Sequence, residues 1–463
     1  MTNRCVKVAS RVTPLASCIA ALLGLAVDHK AFAATTHFVS SCADHGAGTL
    51  RDIISDTVGT VSGDTIDFAN VAPCTVSLNT GAIDITQGAL TIQAPAGKNV
   101  SINGKYSGTT ENDRLIHHTG TGLLGFSYVN FYNGSLTAAG VVKGGCIYSA
   151  GSVQVISGSM VFCSAHSTGG KAYGGAIYAA KQVTMKYGNV LGAAVKSDTT
   201  RASGGGVFGG TGVGMKYSTI SFNEATGTPA GFGGGVYSKK DLRIQNSTIS
   251  GNTANFSSAG VFQAGGSSYA HIYSSTISGN TSSNAIGGVL LQAPDLIITN
   301  STIAFNYAPT TGIGGTFGPG LAIYAANTTL KLQSTIVSNN SLSPTSDFDM
   351  SVTGGDPFAF DVASSNNLVR VPGNNFAVPG LTQLCPYLQP LRDNGGLTQT
   401  HALASNSVAI DTGSNPKGFT TDQRGNSVLY PRLSGTGADV GAYEVNQADI
   451  IFVTGNDGCN ALE

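Results

Sequence analysis

Apolar and polar residues alternate with a period of two along much of the chain, as in Thr75-Val76-Ser77-Leu78, Ile83-Asp84-Ile85, Leu90-Thr91-Ile92 and Val100-Ser101-Ile102. That period belongs to half-buried strands, and no stretch carries the 3.6-residue period of a helical repeat. From residue 145 onward the alternation becomes a repeat. Glycine-led strands end at Tyr148, Tyr178, Phe208, Tyr237, Phe262, Leu290 and Tyr324, with spacings of 30, 30, 29, 25, 28 and 34 residues. Each is followed by a second motif, Ser-Thr-Ile in the clearest copies, with Ile220, Ile249, Ile277, Ile303 and Ile336, and Val161 and Val190 in the two earlier ones. Three residues after each isoleucine stands an asparagine: Asn223, Asn252, Asn280, Asn306 and Asn339. The stretch from asparagine to the next glycines varies most in length, so insertions gather at one corner.

A unit of this kind cannot bury its apolar face alone, and stacking copies makes one continuous core. The predicted fold is all-β: a right-handed parallel β-helix, or solenoid, with an N-terminal cap helix and a C-terminal cap module. Some ten coils at about 4.8 Å per rung give a body roughly 50 Å long. The recurring asparagine fits a corner whose amides hydrogen-bond up and down the stack. Leu50-Arg51-Asp52-Ile53-Ile54 reads as a short amphipathic helix over the first end, with Thr49 as its N-cap. The expected organisation is a signal peptide (1–33), an N-terminal cap (34–74), β-helix repeats (75–345), decaying coils with a C-terminal module (346–446) and a tail (447–463).

Composition refines this picture. The 463 residues include 24 basic and 25 acidic side chains, a net of −1, so no electrostatic footprint for nucleic acid is present. Arg4, Lys7 and Arg11, the apolar run Leu15 to Val27, and Ala31-Phe32-Ala33 form a secretory signal, too short in its apolar part to span a bilayer. No later segment is long and apolar enough for a transmembrane helix. Removing the signal takes four basic residues and one acid with it, leaving a mildly acidic exported chain. It also leaves six cysteines, an even number without zinc spacing, which favours disulfides. Six cysteines permit 15 pairings; the nearest-neighbour set, Cys42–Cys74, Cys146–Cys163 and Cys385–Cys459, is the expected one.

Ser41-Cys42-Ala43-Asp44-His45-Gly46-Ala47-Gly48-Thr49-Leu50-Arg51-Asp52 and Gly63-Asp64-Thr65-Ile66-Asp67-Phe68 resemble the opening of bacterial right-handed parallel β-helix repeat proteins. The Gly-Gly-Ala-Ile and Phe-x-Asn pieces look like polymorphic outer-membrane-protein repeats. Asp393-Asn394-Gly395-Gly396, Thr400-His401-Ala402-Leu403, Ala409-Ile410-Asp411, Asp422-Gln423-Arg424-Gly425 and Asp439-Val440-Gly441-Ala442-Tyr443-Glu444 are similar to the C-terminal module called choice-of-anchor Q. The resemblance implies a right-handed coil in a bacterial secreted or surface setting. It supplies no reaction.

Candidate chemistry is sparse. Acids within residues 145–340 fall at unrelated places in the repeat, so neither the stacked carboxylates of a calcium-dependent lyase nor the paired ones of a glycosidase are in register. Asp347 and Asp349 form the densest acidic stretch and are the candidate Ca²⁺ ligands. Asp411, Asp422, Arg424, Asp439 and Glu444, with Arg432, are the candidate polar or catalytic cluster. The histidines lack a nucleophile motif. The file Tyr148, Tyr178, Phe208, Tyr237, Phe262, Leu290 and Tyr324 lies on the face opposite its β-branched neighbours and is the candidate ligand platform, unless corner loops or the C-terminal module cover it. The expected function is a secreted or surface protein that binds polysaccharide or cell-envelope glycan without catalysis. The alternatives are a polysaccharide lyase or glycoside hydrolase acting on an acidic polysaccharide, and a structural spacer.

Overall fold

The computed structural model describes residues 34–446, except 56–58, 105–112, 266–267, 310–316, 325–326, 344–345, 355–356, 374–376 and 426–427. The predicted signal peptide and the tail 447–463 lie outside the described residues.

Three long parallel sheets run the length of the molecule in about eleven turns. The first sheet has twelve strands, from Thr36–Phe38 to Phe358–Phe360, and the second has ten, from Ile83–Ile85 to Met350–Thr353. The third also has twelve, from Cys74–Leu78 to Leu381–Thr382. Alternation decides what points inward. Ile147, Ile177, Val207, Val236, Val261 and Val289 pair rung to rung in the second sheet and are fully buried, as are Ile220, Ile249, Ile277 and Ile303 in the third. The variable corner is not plain loop. Through the middle rungs it carries two further parallel sheets of six and four strands, with a small core of their own around Val142, Ala165, Val195 and Ala225.

The predicted helix is present at Leu50–Ile54. Thr49 Oγ1 accepts the Asp52 N–H at 3.2 Å, and Leu50, Ile53 and Ile54 are buried in the main core.

Asn223, Asn252, Asn280 and Asn306 form a buried ladder. Each Nδ2 donates to the Oδ1 of the next rung at 2.8–2.9 Å and to a main-chain carbonyl of the rung before, so the buried amides are satisfied. A Cβ on Gly235 or Gly260 would sit 3.0 Å from the ladder amide of its own rung, so glycine and asparagine recur together because one makes room for the other. One coil before Gly206 and Asn223, where the ladder starts, the same two places hold Ala176 and Ala193. One coil earlier still they hold Cys146 and Cys163, joined by the predicted disulfide. Cys42–Cys74 is also formed; Cys385 is disulfide-bonded, and its predicted partner Cys459 lies outside the described residues.

The serine of Ser-Thr-Ile builds a second ladder. Ser218, Ser247 and Ser275 each give a backbone N–H to the hydroxyl of the next rung, and each hydroxyl donates to a carbonyl two residues earlier.

Four assignments from the repeat alignment shift in register. Asn340, not Asn339, ends the asparagine ladder, because Asn339 takes the left-handed corner (φ 61°) held by Gly279 and Phe305 in earlier rungs. Val337, not Ile336, pairs with Ile303, and Met160, not Val161, pairs with Val190. Ala322, not Tyr324, follows Leu290. In each case hydrogen-bond register overrides likeness of residue type.

Residues 385–446, expected as a cap module, double back along the flank of the stack as a strap. Among its described residues it has no strand beyond isolated bridges, and it lies on the outer face of the third sheet from Tyr217 to Asn366. The threonine of Ser-Thr-Ile is its anchor. Thr248 Oγ1 donates to the Gln399 carbonyl, Thr276 Oγ1 donates to Gln423 Oε1, and Thr302 Oγ1 accepts from the Ala442 N–H. Corner asparagines 246, 300 and 366 reach out to carbonyls of Asp422, Ser414 and Thr412. Ala304, Ile336 and Leu368 bury against Leu388, Leu403, Val440 and Tyr443.

Candidate functional site

The polar cluster expected in the C-terminal module is the strap's interior. The Arg424 guanidinium lies between the rings of Tyr430 and Tyr443, 4.0 and 3.9 Å from their centroids, and its Nε meets Asp422 Oδ2 at 2.8 Å. Asp439 accepts the N–H groups of Asp411 and Val445, Glu444 those of Ser434 and Asp439, and Asp411 those of Thr436 and Gly437. Arg432 is buried, donates to the Asp439 carbonyl and lies 3.9 Å from Glu444. Burial pushes Asp439 up to about 6 and Glu444 up to about 8, against the opposing pull of Arg432. These side chains hold an irregular backbone in place: their oxygens point at amides of the strap itself.

Asp347 and Asp349 are divided between two tasks. Asp347 is buried and paired with Arg370 at 2.9 Å. Asp349 terminates the asparagine ladder: its Oδ1 accepts from Asn340 N and Nδ2, and its Oδ2 from Val371 N. Burial raises it to about 7. Among the described residues no cluster of His, Cys, Asp or Glu has the arrangement of a metal site.

The aromatic file stands on the outer face of the second sheet as a stack. Successive centroids from Tyr148 through Tyr178, Phe208 and Tyr237 to Phe262 are 4.9–5.5 Å apart, with interplanar angles of 3–11°. The four-stranded corner sheet covers its middle: Tyr173 packs edge-on to Phe208 and Phe232 edge-on to Phe262, so Phe208, Tyr237 and Phe262 are buried. Tyr148 and Tyr178 stay half-exposed at one end, and Tyr324 stands exposed outside the register.

One pairing escaped the sequence because its members are 123 residues apart. His401 on the strap meets Ser278 Oγ through Nε2 at 2.8 Å, with Nδ1 at 2.6 Å from the Gln389 carbonyl. Both line a cleft of about 670 Å³ with Phe222, Phe305, Leu388, Pro390 and Leu391. Burial lowers His401 to about 4. The neighbouring amides of Gly251 and Gly279 are committed to the sheet, where they donate to Ser278 and Ala304 carbonyls rather than facing a reacting oxygen. The pair fastens the strap.

A surface not singled out in the sequence is the open flank. N-terminal to the strap, the outer face of the third sheet is open and presents Ser159, Val161, Asn189, Leu191 and Thr219, with Ser221 buried at its edge. With strap residues Asp393 and Gly396 to Gln399 these line a cleft of about 440 Å³ that meets the larger one at Gln399. Two files of left-handed corners edge this floor. One holds Phe162 (φ 56°), Gly192 and Phe222 (φ 55°); the other holds Tyr187 (φ 57°) and Tyr217 (φ 51°). Phe162 and Phe222 are 64% and 68% exposed, and Tyr187 and Tyr217 stack at 5.4 Å. Lys186 and Lys216 sit 5.0 Å above the centroids of Tyr187 and Tyr217. Residue-type recurrence could not show this flank, because its rings interrupt the glycine and asparagine files.

Three sheets wound in parallel around one core, with a side strap, define the protein as a parallel β-solenoid. Residues 198–376 match the family described as right handed beta helix region. No curated protein and no solved structure matches the chain.

Proposed function

We propose that this is a secreted or cell-surface protein that binds an extended polysaccharide along the open flank. The observation that carries the reading is the placement of bulky aromatics at left-handed corners. A non-glycine residue there costs roughly 1–2 kcal/mol, and other rungs fill the same places with Gly251, Gly279, Asn246 or Asn300. Phe162, Phe222 and Tyr187 are kept despite that cost and without burial, so their rings serve something outside the fold. The floor between them is a row of hydroxyl and amide groups at rung spacing, suited to a polymer lying along the solenoid axis.

The disulfides Cys42–Cys74 and Cys146–Cys163 suit an oxidising compartment. The likeness of the strap to the choice-of-anchor Q module, and of the repeats to polymorphic outer-membrane proteins, supports a bacterial surface setting.

The test is retardation in native gels containing a panel of polysaccharides, for the wild type and for Phe162→Gly/Phe222→Gly. Glycine already occupies this file at 192, 251 and 279, so the variant keeps its fold. A loss of affinity of about tenfold is expected. Equal retardation of both proteins, or none for any polymer, overturns the proposal.

A further inference from the structure

Histidines on the strands meet acids. His37 meets Asp64, His117 meets Asp84, His166 and Lys196 meet Asp198, and His271 meets Asp295, each contact joining neighbouring rungs except Lys196–Asp198. Lys186 and Lys216 instead face each other across neighbouring rungs. They are direct partners in the first sheet, with Ile156 and Gln245 on the rungs to either side, and neither has an ion pair among the described residues. Like charges directly opposite across a strand pair are destabilising. Both ammonium groups are nevertheless held over rings stacked 6° from parallel, in the same geometry one rung apart. Arg243, one rung further, and Lys417 on the strap both face the ring of Tyr273, at 5.7 and 5.4 Å. Gly214, the partner of Arg243 on the Lys216 rung, leaves open space on the outer face. The row runs beside the open flank, since Lys186-Tyr187-Gly188-Asn189 and Lys216-Tyr217-Ser218-Thr219 pass from one surface directly to the other.

We propose that this row reads the charge of the bound polymer: the flank takes an acidic polysaccharide, whose successive carboxylates bridge Lys186 and Lys216 and continue toward Arg243 and Lys417. The inference rests on the polysaccharide reading above and adds the ligand's chemical class. Bridging anions turn the unfavourable lysine pair into a favourable one, and the aromatic supports fix the ammonium positions before binding. Stacking of Tyr187 on Tyr217 occupies the faces that an unstacked base would need, which favours a uronate chain over single-stranded nucleic acid. Asp393 at the strap end of the cleft opposes an anionic ligand and sets the limit of the row.

Binding of alginate, of its carboxyl-reduced neutral form and of oligo-dT is measured by calorimetry at several salt concentrations. Wild type, Lys186→Gln/Lys216→Gln and Asp393→Asn are compared, with circular dichroism to verify folding. Alginate is expected to bind at least tenfold more tightly than its reduced form and to weaken as salt rises. The double variant should lose about tenfold on alginate and nothing on the neutral polymer, while Asp393→Asn gains a few-fold. Equal binding of both polymers, unchanged in the double variant, overturns the charge reading and leaves the polysaccharide reading standing. No saturable binding of either polymer overturns the charge reading, and the polysaccharide reading falls with it only if the wider panel is also unbound. Tighter binding of oligo-dT than of alginate overturns the inference in favour of nucleic acid.

Discussion

Under the strap, from rung 248 to rung 338, the third sheet shows Thr248, Thr276 and Thr302 to a protein partner; from 159 to 221 the same face shows Ser159, Asn189 and Thr219 to solvent. The corner file changes with it. Covered rungs carry Asn246 and Asn300, whose amides grip the strap; Tyr217 lies at the strap's edge beside Gly425, and the open rung before it carries Tyr187. One backbone scaffold thus presents two outer chemistries. What separates them is whether the corner side chain satisfies the protein's own carbonyls or projects beyond them.

The largest expected effect is on the covered side. Arg424→Ala leaves Asp422 buried without its partner and empties the space between Tyr430 and Tyr443, for a loss of about 3–5 kcal/mol in urea unfolding and early proteolysis within 385–446. Lys216→Ala on the open side should change stability by less than about 0.5 kcal/mol. Comparable losses from the two would erase the distinction.

Acidity gives the next contrast. Asp439 at about 6 and Glu444 at about 8 both lie above the ordinary carboxylate range, so the native state holds protons that the unfolded chain releases. Their contribution is complete below about pH 4 and is lost as pH rises through those values, on the order of 1 kcal/mol per pH unit. His401 at about 4 acts in the opposite sense: the unfolded chain takes a proton first, so its contribution falls as pH drops from about 6.5 toward 4. Thermal unfolding should therefore be most resistant on the acid side of neutrality. Glu444→Gln should flatten the decline toward pH 8, and an unaltered decline would refute the assignment.

Smaller effects sharpen the comparison at matched positions. Thr276→Val removes the bond to Gln423 and should cost about 1 kcal/mol, whereas Thr219→Val on the open flank should cost almost nothing. Smallest, and of opposite sign, Tyr187→Asn relieves a left-handed tyrosine and should stabilise by about 1 kcal/mol or less. A destabilised Tyr187→Asn protein would show that the ring serves the fold instead.

The coil was legible because its period is short and its strands repeat the same contacts. The inward β-branched file, the asparagine ladder and the helix at Leu50 follow from residue type and spacing, whereas the two disulfides were one expectation among 15 possible pairings. The register of the last coil was not legible. With two asparagines in succession, 339 and 340, only the hydrogen-bond pattern shows which one occupies the corner. The strap was hidden for a different reason: three of its anchors join residues separated by 114 to 176 positions, through main-chain carbonyls that any residue supplies. The open flank was hidden by the strap, since a bare surface is defined by where its cover ends.

The match between Gly235 and Asn252, or between Gly260 and Asn280, lies within a single rung, as does the Cys146–Cys163 bond closing 17 residues. Tandem copying of one such segment therefore carries both halves of the contact along with it. A gene for this tower can lengthen or shorten storey by storey while keeping that contact whole, and the strap, tied to Thr248, Thr276 and Thr302, constrains only the storeys it spans.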